Sequence, residues 1–451
     1  MRTPLVNVLI PLLISLATAC QGKEVTEQPN ILFIFADDWG YGDLGCYGHT
    51  ELATPNLDKL ASQGTKYTQF HVTSGVCSPS RTSVITGHFP ARHRVHGHFA
   101  GNEPNARRGM PNWLDETLPV YLPRLMQDAG YKTAHFGKWH LGGGGLPHGD
   151  LSAPEPNQYG YDETRVWNGN GPTWKGDQLW PTTRYMDDDE LWVQSSSRVA
   201  VDATIDFIER NRSKGPMFVN LWLKDPHGPI WPSEEQRKPY KHLNPDKEKY
   251  YAVITDADYH IGRLMKALDE MGIEENTLVI FSSDNGPSPG YVGSTAGLKG
   301  SKFVVFQGGV NVPFIVRWPG HVNAGAKDRS SVMSTVDLIP TFCELAGKEL
   351  PADYTPDGES FASIFENKPF KRSKPLFWKN RRPSNRRTYG WVASAVRDGD
   401  WKLHADKERE RIELYNIADD RFESKNLAEQ HPERVSRMLA MWDHWAKTLP
   451  E

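Results

Sequence analysis

The 451-residue sequence has few cysteines and no surplus of positive charge. It contains four cysteines, Cys20, Cys46, Cys77 and Cys343, and the three after residue 20 form an odd set that predicts no disulfide framework. The formal net charge is −4, and it becomes −5 when Arg2, the only charge in residues 1–19, is subtracted. This balance excludes general attraction to nucleic acid, and an anionic ligand would need a local cationic pocket.

Long apolar runs are also scarce, and the clearest one lies at the N-terminus. Leu5 to Leu16 follows Arg2 and ends in Ala17-Thr18-Ala19, which predicts a secretory signal over residues 1–19. No other segment of the sequence is long and apolar enough to span a bilayer. Any membrane attachment is therefore expected only through an N-terminal lipid anchor.

Cys20 leaves two interpretations of the export route open. The A-x-A pattern suits an ordinary signal peptidase, whereas a small residue directly before Cys20 is typical of a bacterial lipobox, in which the cysteine becomes lipidated. We favour the lipoprotein, although Ala17 stands where a lipobox usually has leucine. Both interpretations predict export across the inner membrane, to the periplasm or to the outer membrane as a lipoprotein.

Apolar β-rich runs alternate with helical patterns after a polar linker at residues 20–29. Ile31 to Ala36 and Thr277 to Phe281 are typical of buried parallel strands. Further strands are predicted at Tyr131–Phe136, Met217–Leu223 and Val312–Val316, and helices at Pro55–Gln63, Leu118–Ala129, Ser197–Asn211 and Lys249–Met271. The alternation predicts an α/β catalytic domain over residues 30–370, with a mostly parallel sheet sandwiched by helices.

The C-terminal part of the sequence has a different pattern. Short strands are predicted at Trp391–Arg397, Trp401–His404 and Ile412–Tyr415, followed by a helix at Pro432–Lys447. This pattern predicts a small α+β subdomain over residues 371–451, built from an antiparallel sheet and one helix.

Polar side chains follow two of the predicted parallel strands. Asp37 and Asp38 end the first, and Asp284 and Asn285 end the run at Thr277. Ligands bind at the carboxyl ends of strands in open α/β sheets, so the four side chains are expected on one rim. Paired aspartates are common turn residues, but four oxygen donors together suit a hard cation, most naturally calcium.

The pentapeptide Cys77-Ser78-Pro79-Ser80-Arg81 carries the signals of a helix start. Ser78 is predicted as the N-cap and Pro79 as the first helical residue, with Arg81 in the first turn. An anion beside residue 77 would then meet both a helix N-terminus and a guanidinium group.

This pentapeptide resembles the maturation signature C-x-P-S-R of the type I sulfatases, which belong to the alkaline phosphatase superfamily. The resemblance implies an alkaline-phosphatase-like fold and the oxidation of Cys77 by a maturation enzyme to formylglycine, whose hydrate is the nucleophile. It also implies one Ca²⁺, held by residue 77 and by the four strand-end residues Asp37, Asp38, Asp284 and Asn285. Five motifs occur in family order between Asn30 and Pro319.

Three further motifs extend the resemblance and imply the roles of the remaining site residues. The sequence carries G-K-W-H-x-G around Lys138 and His140, P-H-x-P around His227, and G-x-x-G-x-K ending at Lys302. In the family the two lysines contact the sulfate. Arg81 is expected to orient the nucleophile, His227 to protonate the leaving alcohol, and His140 to take a proton from the hydrate so that sulfate is expelled.

One motif departs from the family pattern. Gln307 and Asn311 replace the glutamate and arginine of E-G-G-x-R-V-P. If that pair is a structural ion pair, losing both charges costs far less than losing one. The departure therefore concerns the structural support that this pair would give, and it leaves the expected role of Lys302 unchanged.

Signals for the substrate are weaker. Trp167 and Trp174 belong to an aromatic-rich segment that either stacks on sugar or staples a long loop to the core. His93, His96 and His98 follow the Cys77 helix and could line the subsite beside the sulfated sugar. The basic run Lys379 to Arg387 is either a solvated loop or a contact for further sulfates or uronates.

The sequence therefore predicts a hydrolase of sulfate monoesters on a sulfated carbohydrate, such as an algal polysaccharide, a glycosaminoglycan or an oligosaccharide derived from one. Two alternatives stay open. A phosphonate or phosphodiester hydrolase of the same superfamily would act on a similarly charged substrate. A sulfated-glycan-binding lipoprotein without activity would keep Cys77 unmodified.

Overall fold

The computed structural model describes residues 28–142, 153–167, 195–228, 230–380 and 388–450. The predicted signal, Cys20, Trp174 and most of the basic run after Lys379 lie outside the described residues. Among the described helices, none combines the length and apolarity needed to cross a bilayer.

The larger sheet has a central block of parallel strands. Its strands are β1 (Asn30–Ala36), β2 (Thr65–His71), β3 (Lys132–Lys138), β4 (Glu163–Trp167), β5 (Met217–Trp222), β6 (Thr277–Ser283), β7 (Asn311–Arg317), β8 (Ala326–Asp328) and β9 (Met333–Ser334). They lie in the order β4-β3-β5-β1-β6-β7-β2-β8, with β9 also paired to β2. Only β7 runs antiparallel to its neighbours, β6 and β2, among the described pairs. The predicted mostly parallel sheet is confirmed.

Both faces of this sheet are buried, as the continuous apolar sequence of β1 predicts. Leu32, Ile34 and Ala36 enter one hydrophobic cluster, whereas Ile31, Phe33 and Phe35 enter the other. Successive side chains of a strand point to opposite faces, so a strand without polar alternation needs cover on both sides.

Helices supply this cover. Their bounds are α1 (Pro55–Gln63), α2 (Cys77–Thr86), α3 (Asn102–Arg107), α4 (Leu122–Asp128), α5 (Ser196–Asn211), α6 (Glu234–Arg237), α7 (Pro245–Glu270), α8 (Gln307–Val310), α9 (Leu338–Leu345) and α10 (Pro432–Ala446). The helix predicted from Leu118 begins four residues later. Pro119 explains why Leu118 stays outside the helix, because a proline disfavours helical geometry in the residue before it.

A second sheet follows in the C-terminal part of the chain. Strands β10 (Leu376–Lys379), β11 (Ser394–Asp398), β12 (Trp401–Ala405) and β13 (Ile412–Asn416) pair antiparallel in that order. Helix α10 packs near β11, and Trp445 of α10 stacks on Phe377 at 4.8 Å between ring centroids. The predicted small antiparallel sheet with one helix is confirmed.

Candidate active site

Four neighbouring parallel strands place the motif residues at one rim. Strands β3, β5, β1 and β6 are adjacent, so their carboxyl ends lie side by side. Lys138 is the last residue of β3, Asp37 and Asp38 directly follow β1, and Asp284 directly follows β6. His227 lies in the loop after β5. Strand β2 leads through five residues into α2, which carries Cys77.

The helix at Cys77 starts earlier than predicted. Val76 is the N-cap and Cys77 the first helical residue, so the predicted N-cap at Ser78 is wrong. The Ser78 hydroxyl instead accepts a hydrogen bond of 3.0 Å from the backbone N–H of Phe99. Because Arg81 is now four residues into the helix, it lies on the same face as Cys77.

Arg81 connects the helix to the ends of three strands. Its Nε and Nη2 atoms donate to one carboxylate oxygen of Asp284 at 3.0 and 2.6 Å, and Nη1 donates to the Lys138 carbonyl at 3.2 Å. The guanidinium carbon lies 5.1 Å from the ring centroid of Trp222. The group is fully buried. With this many contacts it can hold the site rigidly, and its charge is paired with a carboxylate.

The carboxylates that follow β1 are each paired with a lysine. Lys138 Nζ contacts Asp37, and Lys302 Nζ lies 2.5 Å from Asp38 Oδ1. Burial raises the pKa of Asp37, but the charges of Lys138, His227 and Arg81 outweigh it and hold this pKa well below its usual range. Burial and the charge of Asp37 raise the pKa of Asp284. Three carboxylates and three cations therefore balance within one buried site.

Several oxygens in this cluster have no hydrogen-bond partner among the described residues. They are Asp37 Oδ1, Asp38 Oδ2 and Asn285 Oδ1, all buried. One carboxylate oxygen from each of Asp37, Asp38 and Asp284 lies within 4.8 Å of the others. Buried oxygens without partners are costly unless a ligand binds them. Carboxylate and amide oxygens in this number fit a calcium ion, and the residues present are compatible with the predicted metal.

Residue 77 lies directly beside this cluster. The Cys77 sulfur, a carboxylate oxygen of Asp37 and a ring nitrogen of His227 all lie within 4.8 Å of one another. Burial raises the pKa of the Cys77 thiol, although Lys138 and Lys302 oppose this. A buried thiol of raised pKa is a poor nucleophile, so the encoded cysteine itself is not suited to attack an ester.

His227 presents one free ring nitrogen to the site. Its Nδ1 lies 2.9 Å from the carbonyl oxygen of Gly228, which can only accept, so this nitrogen carries a proton. The other nitrogen, Nε2, lies 3.9 Å from Asp38 Oδ2. Burial and the charge of Lys138 lower the pKa of His227 to about 4, against the opposing effect of Asp37 and Asp38.

In His140 the roles of the two ring nitrogens are reversed relative to those in His227. Its Nε2 lies 3.2 Å from the Phe99 carbonyl and must donate to it, so Nδ1 is the basic nitrogen. Nδ1 is buried and has no hydrogen-bond partner among the described residues. Burial, Lys138 and His98 lower the pKa of His140 well below its ordinary value. A neutral imidazole with an open Nδ1 can accept a proton inside the site.

The predicted substrate-binding residues separate into different places. The ring of His98 lies 6.2 Å from that of His140, beside the site. His93 instead stacks on His88 at 5.4 Å, and His88 contacts the Thr355 carbonyl at 3.1 Å. The Nδ1 atom of His96 is buried.

Trp167 does not form part of a sugar-stacking wall. It is 0 % exposed and belongs to one of the two hydrophobic clusters of the sheet. It is the last residue of β4 and pairs with Lys138 in the register of the sheet. The interpretation of Trp167 as substrate-binding is therefore wrong.

Two site residues escaped the sequence analysis because their partners are backbone atoms or distant in sequence. Lys224 is buried and donates from Nζ to the His227 carbonyl at 2.9 Å. Asp43 accepts from the backbone N–H groups of Gly40 and Ser294, both at 2.7 Å, and so connects the loop after β1 to the loop after β6. The only sequence signal for Lys224 is its place three residues before His227.

Residues from the C-terminal part of the chain support the turn that carries the altered E-G-G-x-R motif. Glu423 accepts from the backbone N–H of Gln307 at 2.6 Å and lies 3.1 Å from Lys402 Nζ and 2.7 Å from His404 Nε2. We call Gln307, Lys402, His404 and Glu423 the Glu423 cluster. All four are buried. A carboxylate from the C-terminal part of the chain therefore supports the turn in which Gln307 replaces glutamate.

Comparison with known proteins agrees with this geometry. The sulfatase family model matches residues 29–348, most of the chain. The chain belongs to the sulfatase family. A second model, the C-terminal region of N-sulphoglucosamine sulphohydrolase, matches residues 300–443. Human arylsulfatase A is 31 % identical over 87 % of this chain and 77 % of its own length. The protein is accordingly a sulfuric ester hydrolase.

Bacterial sulfatases resemble the chain along most of its length. The N-acetylgalactosamine-6-O-sulfatase of Bacteroides thetaiotaomicron is 28 % identical over 96 % of this chain and 98 % of its own. Among solved structures, Ps i-CgsB in complex with k-i-k-neocarrahexaose is 26 % identical with a TM-score of 0.79, covering 93 % of each chain. A phosphonate monoester hydrolase of Agrobacterium radiobacter shares the fold at 19 % identity and a TM-score of 0.65, covering 93 % of this chain and 95 % of its own.

Proposed function

We propose that this sulfatase removes sulfate from a sulfated carbohydrate, with a formylglycine made from Cys77 and one Ca²⁺ held by Asp37, Asp38, Asp284 and Asn285. The observation that carries the proposal is the approach of Cys77, Asp37 and His227 to within 4.8 Å, beside three buried oxygens that have no partner within the described part of the chain. The N-acetylgalactosamine-6-O-sulfatase of Bacteroides thetaiotaomicron and the structure of Ps i-CgsB in complex with k-i-k-neocarrahexaose support the carbohydrate class. When present, the aldehyde hydrate supplies a hydroxyl nucleophile and calcium supplies positive charge.

The chain's own residues divide the remaining work. Lys138 and Lys302 are buried at the site and can donate from Nζ to the non-bridging oxygens of a sulfate monoester. Arg81 fixes the helix that carries residue 77, through its two hydrogen bonds to Asp284. Because the protein charges balance, a divalent cation leaves the site positive, which favours a monoanionic ester over a neutral one.

The two histidines can transfer protons in different steps of the reaction. His227 holds its free Nε2 toward the cluster and can give a proton to the departing alcohol. A bound sulfate ester brings negative charge next to this ring and raises the pKa of His227, which favours the protonated form needed. His140 Nδ1, which is buried and open among the described residues, would accept a proton in the second half of the reaction.

The test uses full-length protein coexpressed with a formylglycine-generating enzyme, with oxidation of residue 77 checked by peptide mass. We expect sulfate release from a panel that includes N-acetylgalactosamine 6-sulfate and neocarrahexaose. Turnover of phosphonate esters in place of sulfate esters would favour the alternative hydrolase. Protein that keeps Cys77 unmodified and binds these sugars without releasing sulfate would favour the binding lipoprotein.

We further propose export with Cys20 as the lipidated residue, on the sequence pattern alone. Metabolic labelling with a radioactive fatty acid should mark the wild-type protein and not Cys20→Ser. Label on neither protein would favour release into the periplasm by an ordinary signal peptidase.

A further inference from the structure

Few large apolar side chains are exposed on the described surface, and one of them lies at the active site. The four are Trp231, Tyr259, Tyr291 and Phe422. Tyr291, which is 38 % exposed, belongs to the loop between β6 and α8, the loop that also carries Lys302. Burial raises the pKa of its phenol, and Asp38 adds to this effect while Lys302 opposes it. The ring is therefore within electrostatic reach of both groups.

The Tyr291 hydroxyl occupies space next to the proposed general acid. A methyl group placed on Gly228 would lie only 1.7 Å from the Tyr291 hydroxyl oxygen. Gly228 immediately follows His227, and its carbonyl accepts from the His227 ring. The missing side chain at position 228 is thus what allows the phenol to lie against the His227 loop.

Exposure shows which side of the site is open. The His227 side chain is 18 % exposed, whereas the side chains of Asp38 and Lys302 are 3 % and 4 % exposed and that of Lys138 is fully buried. The alcohol that leaves after protonation by His227 must therefore lie toward the solvent side of this ring. Tyr291 stands at that opening, where the sugar attached to the sulfate has to be.

The Tyr291 ring is also held in place by a second tyrosine. Tyr250 packs under Tyr291 with 6.1 Å between centroids and 24° between planes. The Tyr250 hydroxyl donates to Asp43 at 3.0 Å, and the other Asp43 oxygen accepts from the backbone of Ser294 at 2.7 Å. An aromatic surface that is already fixed loses little conformational entropy when a ligand packs on it.

We propose that Tyr291 is a substrate-binding residue whose ring packs against the sugar that carries the sulfate ester and whose hydroxyl bonds to that sugar. An aromatic ring offers a broad apolar face and, in tyrosine, a polar edge, which matches a pyranose ring. The inference rests on the proposed desulfation of carbohydrate. It assigns sugar recognition to the loop after β6, and not to Trp167.

The experiment compares Tyr291→Ala, Tyr291→Phe and the surface control Tyr259→Ala in matured full-length protein. Tyr259 lies on α7 and is 59 % exposed. The substrate is whichever sulfated saccharide of the panel the wild type hydrolyses fastest, and inorganic sulfate is the inhibitor that reports on the sulfate pocket. Thermal melting shows that each variant is folded.

We expect Tyr291→Ala to raise KM about tenfold with kcat changed less than about threefold, and Tyr291→Phe to keep most of the binding. The inhibition constant of inorganic sulfate should stay at the wild-type value in all variants. Equal saccharide kinetics in Tyr291→Ala and Tyr259→Ala would overturn the inference. A rise in the inhibition constant of inorganic sulfate in Tyr291→Ala as large as the rise in KM would also overturn it. Matured wild type without saccharide turnover would instead reject the proposed function, and the inference with it.

Discussion

The strand-end site and the Glu423 cluster are both buried groups of charged side chains, yet their acidic groups are satisfied to different degrees. In the Glu423 cluster, one carboxylate oxygen faces Lys402 and His404 and the other accepts from Gln307. At the strand-end site, Asp37, Asp38 and Asn285 each keep one buried oxygen without a partner among the described residues.

This difference separates a structural role from a ligand-binding role. A buried charge that only supports the fold must be fully paired, since an unpaired one costs several kcal/mol. Open oxygens in a buried group of carboxylates are therefore expected to bind a ligand. We expect mutations at the strand-end site to alter calcium binding and turnover. Mutations in the Glu423 cluster should alter only the folding stability.

The largest expected effect is the loss of turnover in Cys77→Ala. Removing the precursor of the proposed nucleophile should lower kcat at least about a thousandfold, because the proposed covalent intermediate forms on residue 77. Cys343→Ala is the matched control, since Cys343 is also a buried cysteine but packs in the hydrophobic core. Sulfate release measures both variants. Full activity in Cys77→Ala would contradict the mechanism.

His227→Ala should lower kcat on sulfated sugars about a hundred- to ten-thousandfold, the range for loss of a general acid. The loss should be much smaller on 4-nitrophenyl sulfate, whose leaving group needs no proton. Steady-state kinetics on both substrates measure the contrast. His321→Ala, at an exposed histidine stacked on Trp318, is the control. Equal losses on the two substrates would argue against proton transfer from His227.

Glu423→Gln should lower the free energy of unfolding by about 3 kcal/mol without changing calcium binding. The mutation leaves Lys402 buried without its counter-charge, and burial already lowers the pKa of Lys402 to about 8. Urea denaturation measures the loss. The double variant Lys402→Met/Glu423→Gln should recover part of the lost stability. If Glu423→Gln alone is as stable as the wild type, the cluster is not structural.

The same cluster predicts a pH dependence. Burial raises the pKa of Glu423, but Lys402 and His404 outweigh this and lower it from 4.5 to about 2. A carboxyl group with a lowered pKa in the folded state stabilises the protein above its unfolded pKa and loses this contribution as the pH falls. The stability gap between wild type and Glu423→Gln should therefore narrow as the pH falls from about 5 to about 2, that is, from the unfolded pKa through the folded one. A constant gap would contradict the ion pair.

Calcium removal should have the smallest effect on stability. At a free concentration a hundred times the Kd, a ligand bound only by the folded state stabilises it by about 2.7 kcal/mol. Chelation should lower the Tm of wild type and of Glu423→Gln equally. Asp38→Asn should lose the response while keeping its backbone, because Asp38 has a φ of 64°, a conformation that asparagine tolerates. A calcium response that survives Asp38→Asn would place the ion elsewhere.

Two of the departures from the sequence predictions, at Ser78 and Trp167, share one cause. Ser78 is a good N-cap, but the Phe99 N–H reaches its hydroxyl from 21 residues away. Trp167 lies in an aromatic-rich segment, but its side chain is buried in a hydrophobic cluster with residues far away in the sequence. Local preference describes what a residue can do on its own. Long-range contacts decide which of these options is used.

The sequence by itself determined the α/β alternation, the strands that end in acidic residues and the motifs that hold residue 77, Lys138, His227 and Lys302. Apolar periodicity and strand-end polarity are local properties, so they can be read without coordinates. Only the tertiary structure decided which oxygens stay open, which nitrogen of each histidine faces the site, and that Glu423 and Tyr291 reach their places. These features depend on atoms from segments far apart in the chain, whose approach no local pattern encodes.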